Sequence, residues 1–208
     1  MNKYKHLLQP LTVGPLTFRN RIIASPTSIA LLGDNGRIND DVIAYYEQKA
    51  AGGCAVVTVG ESIVRIADGR SHPRQIPLDD PDEYSGLSRL ASAIHAHGAY
   101  ASIQLSHGGG LCPPVFVGEA VGPSDIIKDE EGTNGHPSPF FSKVRGLSVP
   151  EIEELAEAFG RAAAVVKRCG FDMCMVHGGH GWLLHQFISE KTNFRTDEYG
   201  GSLENRMR

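Results

Sequence analysis

Strand-like and helix-like segments alternate four times along this chain, and glycines stand at most of the changes from one to the other. Apolar runs of strand length precede amphipathic segments of helix length, which is the pattern of repeated βα units. The predicted strands cover 21–24, 54–59, 100–105 and 171–176. Because crossovers between parallel strands are right-handed and pack helices onto the sheet, this repeat predicts an α/β fold, most simply a (β/α)8 TIM barrel.

Capping signals mark the helices between these strands. The sequence predicts a helix over 40–51 that ends at a pair of glycines. Asp80, followed by proline, is the expected N-cap of the next helix, and Ser148 with Glu151 forms a capping box that opens the third. The helices therefore fall between the strands, as the βα repeat requires.

A complete barrel needs eight βα units and ~250 residues, whereas these 208 residues supply four units. We expect one domain over 1–208, the N-terminal half of a barrel truncated at Arg208. A hairpin over 11–18 precedes it, and 111–146, rich in proline, glycine and acidic residues, is expected to form a lid-like insertion. The first and fourth strands would then expose unpaired edges, so we expect a homo-oligomer.

Composition restricts the class of partner. A net charge of -4 and a pI near 6.1, with no basic block, give no electrostatic reason to bind nucleic acid or an anionic membrane. No apolar run reaches the ~20 residues of a membrane span, and no signal-peptide core follows the N-terminus. The four cysteines form no CxxC pair, and Cys54 and Cys174 are expected in the core. These features favour a cytoplasmic protein with a small-molecule partner.

The fourth predicted strand, which we expect to be buried, ends at His177, and His180 follows three residues later. Loops after the carboxyl ends of strands line the site in α/β proteins. Two neutral imidazoles there could donate to a carbonyl oxygen that gains negative charge during a reaction. They could also bind a metal with His185 as a third ligand, or they could only cap backbone groups.

The last thirty residues carry a long motif. It reads His177-Gly-Gly-His-Gly-Trp182, then Leu-His-Gln-Phe, and then Arg-Thr-Asp-Glu-Tyr-Gly-Gly-Ser-Leu-Glu-Asn-Arg206. This motif closely resembles the flavin-binding ene-reductases of the Old Yellow Enzyme family, above all the branch of 2,4-dienoyl-CoA reductases and 2-enoate reductases. Similarity extends to Leu-Gln-Pro-Leu near the N-terminus and to Ile-Gln-Leu-Ser-His-Gly-Gly at 103–109.

The resemblance implies a cofactor, FMN, and residues that contact it. Matching positions suggest that Ser25, Pro26 and Thr27 run along the flavin ring and that Gly60, having no side chain, allows close approach. Gln104 matches a glutamine that hydrogen-bonds the flavin pyrimidine. From the residues alone, Gln104 could instead pair strand ends, and Thr27 could be a turn hydroxyl.

The resemblance also implies a reaction. NADH or NADPH would reduce FMN, and the flavin would pass hydride to an alkene conjugated to a carbonyl, as in an enoate, enone or enoyl thioester. His177 and His180 would hold the carbonyl oxygen, and no metal is expected. Trp182 stands where many relatives have a tyrosine that protonates the α-carbon. Because an indole N–H is not a usable acid, Trp182 is expected to shape an apolar pocket for the substrate.

In the family, the FMN phosphate and an arginine facing the flavin come from later strands, and the longer branch carries an iron–sulfur cluster further along. We therefore expect this chain by itself to bind FMN weakly or not at all. Two alternatives stay open at this point. One is a metal-dependent TIM-barrel hydrolase that uses His177, His180 and His185, and the other is a non-catalytic fragment without a complete flavin site.

Overall fold

The computed structural model describes residues 4–29, 31–33, 36–126, 128–129, 132–133 and 143–208. They divide into two compact units. The first unit comprises the described residues within 1–62, 74–105 and 161–175, and the second comprises those within 63–73, 106–160 and 176–208.

Eleven strands and seven α-helices are defined within the described residues. The strands are β1 (Leu11–Val13), β2 (Leu16–Phe18), β3 (Ile23–Ala24), β4 (Val56–Ile63), β5 (Ile76–Pro77), β6 (Tyr100–Ser106), β7 (Ala120–Gly122), β8 (Lys128–Asp129), β9 (Gly132–Thr133), β10 (Val144–Gly146) and β11 (Met173–Val176). The helices are α1 (Asp40–Ala51), α2 (Ile66–Gly69), α3 (Tyr84–His95), α4 (Pro114–Val117), α5 (Val149–Arg168), α6 (Leu183–Ile188) and α7 (Leu203–Arg206).

The main sheet has five strands, in the order β11-β6-β4-β3, with β5 paired to β4. β3 runs parallel to β4, with Ile23 opposite Val56. At the start of β6, the Tyr100 amide donates to Ala55 O at 2.9 Å, and just past the end of β4 the Val64 amide donates to Ser106 O at 3.0 Å. Because the start of β4 pairs with the start of β6, and the end of β4 with the end of β6, these two strands are also parallel. The four strands β3, β4, β6 and β11 lie in chain order, as the βα repeat predicts.

A helix follows each of these four strands: α1, α3, α5 and α6. The predicted helix over 40–51 is confirmed as α1, and Asn39 caps it by accepting a hydrogen bond from the Val42 amide at 3.0 Å. The predicted capping box is also present, because the Ser148 amide donates to Glu151 Oε2 at 2.7 Å before α5 begins. The chain therefore contains four βα units.

The N-terminal hairpin is confirmed. β1 and β2 are antiparallel with Leu11 opposite Phe18. The Phe18 side chain is buried with Ala55 and Val56, and its ring meets that of Tyr100 edge to face, with 5.6 Å between centroids. This contact anchors the hairpin at the beginning of β4.

Three expectations about the strands and their cysteines are wrong in detail. The fourth strand, β11, is not buried: Met175 is 40% and Val176 54% exposed, because β11 is the last strand in the sheet order. Cys174 on it is accordingly exposed rather than in the core, and Cys54 is half-buried just before β4. β4 also continues to Ile63, beyond its predicted end.

The second unit has its own apolar core. Val121, Leu147 and Leu155 are buried there with Leu183 and Phe187. The insertion predicted over 111–146 belongs to this unit, and β7 and β10 near its two ends are paired in parallel. Much of the remaining insertion, namely 127, 130–131 and 134–142, lies outside the described residues.

Within the ranges that the structure describes, no helix is long and apolar enough to cross a membrane.

Candidate active site

In the first unit, Tyr46 joins two of the segments that the resemblance assigns to the cofactor. Its hydroxyl accepts a hydrogen bond from the Gly60 amide at 3.0 Å and lies 3.4 Å from the carbonyl oxygen of Thr27, to which it donates. The Tyr46 side chain is fully buried, and this burial raises its pKa to about 12. The hydroxyl therefore stays protonated and can make both bonds at once.

Gly60 is in close contact with the backbone of Thr27. A Cβ added at Gly60 would lie 2.6 Å from Thr27 N and 2.7 Å from Thr27 O, closer than real side chains allow. The family resemblance predicted that position 60 is glycine because a side chain there would keep the flavin away. The structure supplies a second reason, because only glycine lets Thr27 lie against β4 here.

The residue after Gly60 has an unusual backbone. Glu61 has a φ of 54°, a left-handed value that is uncommon for a residue with a side chain. Ser28 donates to Glu61 Oε2 at 2.6 Å and so fixes its carboxylate. Among the described non-glycine residues, only Glu61 and His180 have positive φ. Such conformations cluster at functional sites.

The remaining residues assigned to the cofactor also lie in the first unit. Ser25 and Thr27 are exposed, and Pro26 is half-buried. The Thr27 hydroxyl donates to Ser25 O at 3.3 Å, which is the turn role left open by the sequence. Gln104 is buried on β6, and its Nε2 is 4.0 Å from Met175 Sδ, a weak acceptor.

In the second unit, the structure brings together His177 and His180, predicted to hold the carbonyl oxygen, and Trp182, predicted to shape the pocket. The His177 and His180 ring centroids are 5.2 Å apart, and the Trp182 ring meets His177 edge to face at the same centroid distance. His180 has a φ of 55° and Gly181 a φ of 75°. The loop after β11 therefore reverses sharply at His180 and keeps both imidazoles in one cluster.

Gln186 is a buried polar residue to which the sequence analysis gave no role. Its Nε2 donates to Gly108 O at 3.1 Å and to Gly181 O at 2.6 Å, and its Oε1 accepts from the Gly110 amide at 3.0 Å. These bonds tie the loop after β6 to the loop that carries the histidines. In the sequence, this role was indicated only by a polar glutamine among the apolar residues of α6.

His185 does not join the histidine cluster as a metal ligand. Its Nδ1 accepts a hydrogen bond from the Gly181 amide at 2.9 Å. Across the part of the chain that the structure describes, no three His, Cys, Asp or Glu side chains lie close enough together to hold a metal ion. The metal-hydrolase alternative therefore has no ligand set among these residues.

His107, unlike the other histidines discussed in the second unit, is fully buried. His107 Nε2 lies 3.0 Å from Asp68 Oδ1, and its Nδ1 accepts from the Gly109 amide at 3.1 Å. Since Nδ1 is an acceptor, the proton sits on Nε2 and points at Asp68. Burial alone would raise the pKa of Asp68, but hydrogen bonds from His107 and Arg65 outweigh it and hold that pKa well below its usual range.

The charged motif after α6 has a structural role. Arg195 donates to the carbonyl oxygen of Pro123 at 2.7 Å and to that of Leu147, and its guanidinium also pairs with Asp197. The pairing with Arg195 lowers the pKa of Asp197. These residues hold 193–199 against the strands β7 and β10.

Parallel βα units in chain order, with histidines in the loop after the fourth strand, are the arrangement of one half of an α/β barrel. The chain matches the NADH:flavin oxidoreductase / NADH oxidase family over residues 6–208. It belongs to that family.

Curated relatives extend the similarity over nearly the whole chain. It is 34% identical to an NADH oxidase of Thermoanaerobacter brockii, covering 100% of this chain and 31% of that protein. It is 36% identical to an NADPH dehydrogenase of Halalkalibacterium halodurans, covering 97% of this chain and 56% of that protein. The chain thus spans from about a third to somewhat over half the length of these relatives.

Solved structures agree on the fold. A 2-naphthoyl-CoA reductase in complex with 2-naphthoyl-CoA superposes with a TM-score of 0.87 at 30% identity, over 98% of this chain and 32% of that one. An Old Yellow Enzyme from Pichia sp. AKU4542 gives 0.86 at 26% identity, over 97% and 53%. Morphinone reductase in complex with tetrahydroNAD gives 0.83 at 30% identity, over 96% and 56%. The chain forms the first four βα units of a (β/α)8 barrel.

Proposed function

We propose that this chain supplies the carbonyl-binding part of an FMN-dependent reductase that takes electrons from NADH or NADPH and reduces a C=C bond conjugated to a carbonyl. The observation that carries the proposal is the pairing of His177 with His180, 5.2 Å apart, in the loop after β11. Relatives named NADH oxidase, NADPH dehydrogenase, morphinone reductase and 2-naphthoyl-CoA reductase support flavin-linked reduction of this kind.

Three residues of the first unit would contact FMN, Gln104 at the pyrimidine and Thr27 and Gly60 along the ring. Gln104 offers both an amide donor and an acceptor at a buried strand end. The Thr27 backbone lies directly against Gly60 and leaves no room for a Cβ there. The Gln104 carboxamide fits the donors and acceptors of the flavin pyrimidine. When bound, the flavin supplies hydride transfer between the nicotinamide and the alkene.

His177 and His180 would bind the carbonyl oxygen of the substrate. Each neutral imidazole carries one N–H donor, and the oxygen gains negative charge as hydride adds to the β-carbon. Donors placed before reaction at a developing oxyanion lower the barrier, and one such donor contributes 10²–10³ in rate. The left-handed turn at His180 directs the chain so that both rings stay on one side of the loop.

Trp182 would orient His177 and line the pocket. Its ring packs edge to face on His177, which limits rotation of that imidazole. Because the indole N–H cannot act as a proton donor to carbon, water delivers the α-proton in this proposal. The large apolar ring favours substrates with an alkyl or aryl group next to the alkene.

An anaerobic titration tests the activity. The complete gene product is purified, NADH is added until the flavin absorbance bleaches, and a 2-enoate such as cinnamate is then added. We expect absorbance to return with one equivalent of reduced product. A variant with both His177 and His180 replaced by Ala should bleach normally and reoxidise at least 10²-fold more slowly, whereas His97→Ala should behave as wild type. Absence of any flavin would exclude the proposal.

Binding to the first unit is tested separately on the 208-residue chain. Millimolar FMN is added to ¹⁵N-labelled protein, and amide shifts are recorded. We expect shifts at Thr27, Gly60 and Gln104, and a loss of these shifts in Gln104→Leu. Shifts confined to other residues would contradict the proposed cofactor contacts.

A further inference from the structure

Gly181 is held at both of its backbone groups by two adjacent side chains of α6. Its amide donates to His185 Nδ1 at 2.9 Å, and its carbonyl oxygen accepts from Gln186 Nε2 at 2.6 Å. Gly181 lies directly between His180 and Trp182 in the chain. Its position therefore sets the direction in which both neighbours leave the backbone.

The conformation held in this way is an uncommon one. His180 has a φ of 55°, which brings the Cβ of an L-residue close to its own backbone. A left-handed residue with a side chain persists only where its surroundings hold it. Two groups of hydrogen bonds flank this strained residue: the Trp182 amide donates to Gly179 O at 3.1 Å across the turn, and His185 and Gln186 hold Gly181, whose own φ is 75°.

Gln186 is itself anchored, so it can act as a fixed support. Its side chain is buried and bonds Gly108 O and the Gly110 amide. The space around it is filled, because a Cβ added at Gly109 would lie 2.6 Å from Gln186 Oε1. The glutamine therefore cannot swing away from Gly181 without breaking bonds to the loop after β6.

We infer that His185 and Gln186 are positioning residues, which lock His180 into its left-handed conformation beside His177. His185 does so as a neutral imidazole with its proton on Nε2, since Nδ1 accepts the Gly181 amide. The importance of this conformation for catalysis rests on the proposed function. The claim that His185 and Gln186 hold His180 in place rests only on the contacts in the structure. The lock also explains why a histidine three residues past Trp182 contributes no metal ligand.

NMR of the 208-residue chain tests the lock without cofactor or substrate. In wild type we expect the strong intraresidue amide-to-Hα contact of positive φ at His180, and a protected Gly181 amide. His185→Leu should speed exchange of the Gly181 amide roughly 2- to 12-fold, which corresponds to one lost hydrogen bond. His185→Asn should restore protection, because asparagine Oδ1 can accept in place of Nδ1. His97→Leu removes a half-buried histidine bonded to Glu47 in the first unit and should leave Gly181 unchanged.

Gln186→Met keeps the side-chain volume but removes its donors and acceptor. We expect the positive φ of His180 to be lost in this variant while the rest of the spectrum is kept. An unprotected Gly181 amide or a negative φ at His180 in wild type would overturn the inference, and so would equal exchange in His185→Leu and wild type. In the complete gene product, kcat should be lower in His185→Leu than in wild type, and His185→Asn should return kcat to the wild-type value. Failure of flavin binding would affect only the proposed function.

Discussion

The hydroxyl of Tyr46 accepts the amide hydrogen of Gly60 at 3.0 Å, which ties helix α1 to strand β4. The same hydroxyl donates to Thr27 O. Two segments that the family resemblance assigned separately to the cofactor thus share one support, Tyr46, for which no role was predicted.

Tyr46→Phe should destabilise the chain by ~1–3 kcal/mol, because the buried Gly60 amide loses its acceptor. Urea unfolding followed by circular dichroism measures the change. Tyr45→Phe is a matched control on the neighbouring, less buried ring and should change the free energy of unfolding by less than ~0.5 kcal/mol. Equal effects of the two substitutions would show that the Tyr46 bond is unimportant.

Gly60→Ala should destabilise the chain by ~1–3 kcal/mol, since the added Cβ meets Thr27 backbone at 2.6 Å. Gly160→Ala should act in the opposite direction. Gly160 lies inside α5 with nothing within 4 Å of an added Cβ, and alanine is favoured over glycine in a helix by ~1 kcal/mol. Paired unfolding curves check the signs, and a stable Gly60→Ala variant would refute the close packing.

Acid should weaken the second unit through Asp68. Folding lowers the pKa of Asp68, so its contribution is fully present above the unfolded value of about 3.9. It is lost as pH falls below that value toward the folded pKa. The stability difference between wild type and Asp68→Asn should therefore shrink from pH 7 to pH 3. A difference that is constant over this range would contradict the assignment.

Trp182→Phe should keep kcat for enoate reduction within about twofold of wild type, because a phenyl ring can keep the edge-to-face contact with His177. Trp182→Ala should lower kcat roughly 2- to 12-fold, as expected for the loss of one aromatic contact. Steady-state kinetics on the complete gene product distinguishes the two. A large loss in Trp182→Phe would mean that the indole N–H takes part directly.

Much of the fold could be predicted because its signals are local. The cap at Ser148, the helix over 40–51 and the hairpin over 11–18 depend on residues only a few positions apart, and the structure contains all three. The burial of β11 was predicted wrongly for the opposite reason. Whether a strand is covered depends on its neighbours in the sheet, and β11 is the last strand in the order.

The candidate site divides in the same way. The motif around His177 and His180 predicted that the two rings would come together, and their spacing of three residues keeps them close in any tight loop. The lock by His185 and Gln186 was not predicted. An apolar helix with a glutamine in it does not reveal which carbonyl that glutamine will reach.

The sequence by itself determined the succession of four βα units, the capping box at Ser148 and the family to which the chain belongs, whereas Asp80, the predicted cap of α3, caps a 3-10 turn over Pro81–Glu83 instead. Only the tertiary structure decided that Tyr46 supports Gly60 and Thr27, and that His107 keeps its proton toward Asp68. These bonds join residues 14, 19 and 39 positions apart. A hydrogen bond requires its atoms within ~3 Å and in line, and at such separations packing, not sequence spacing, sets those distances.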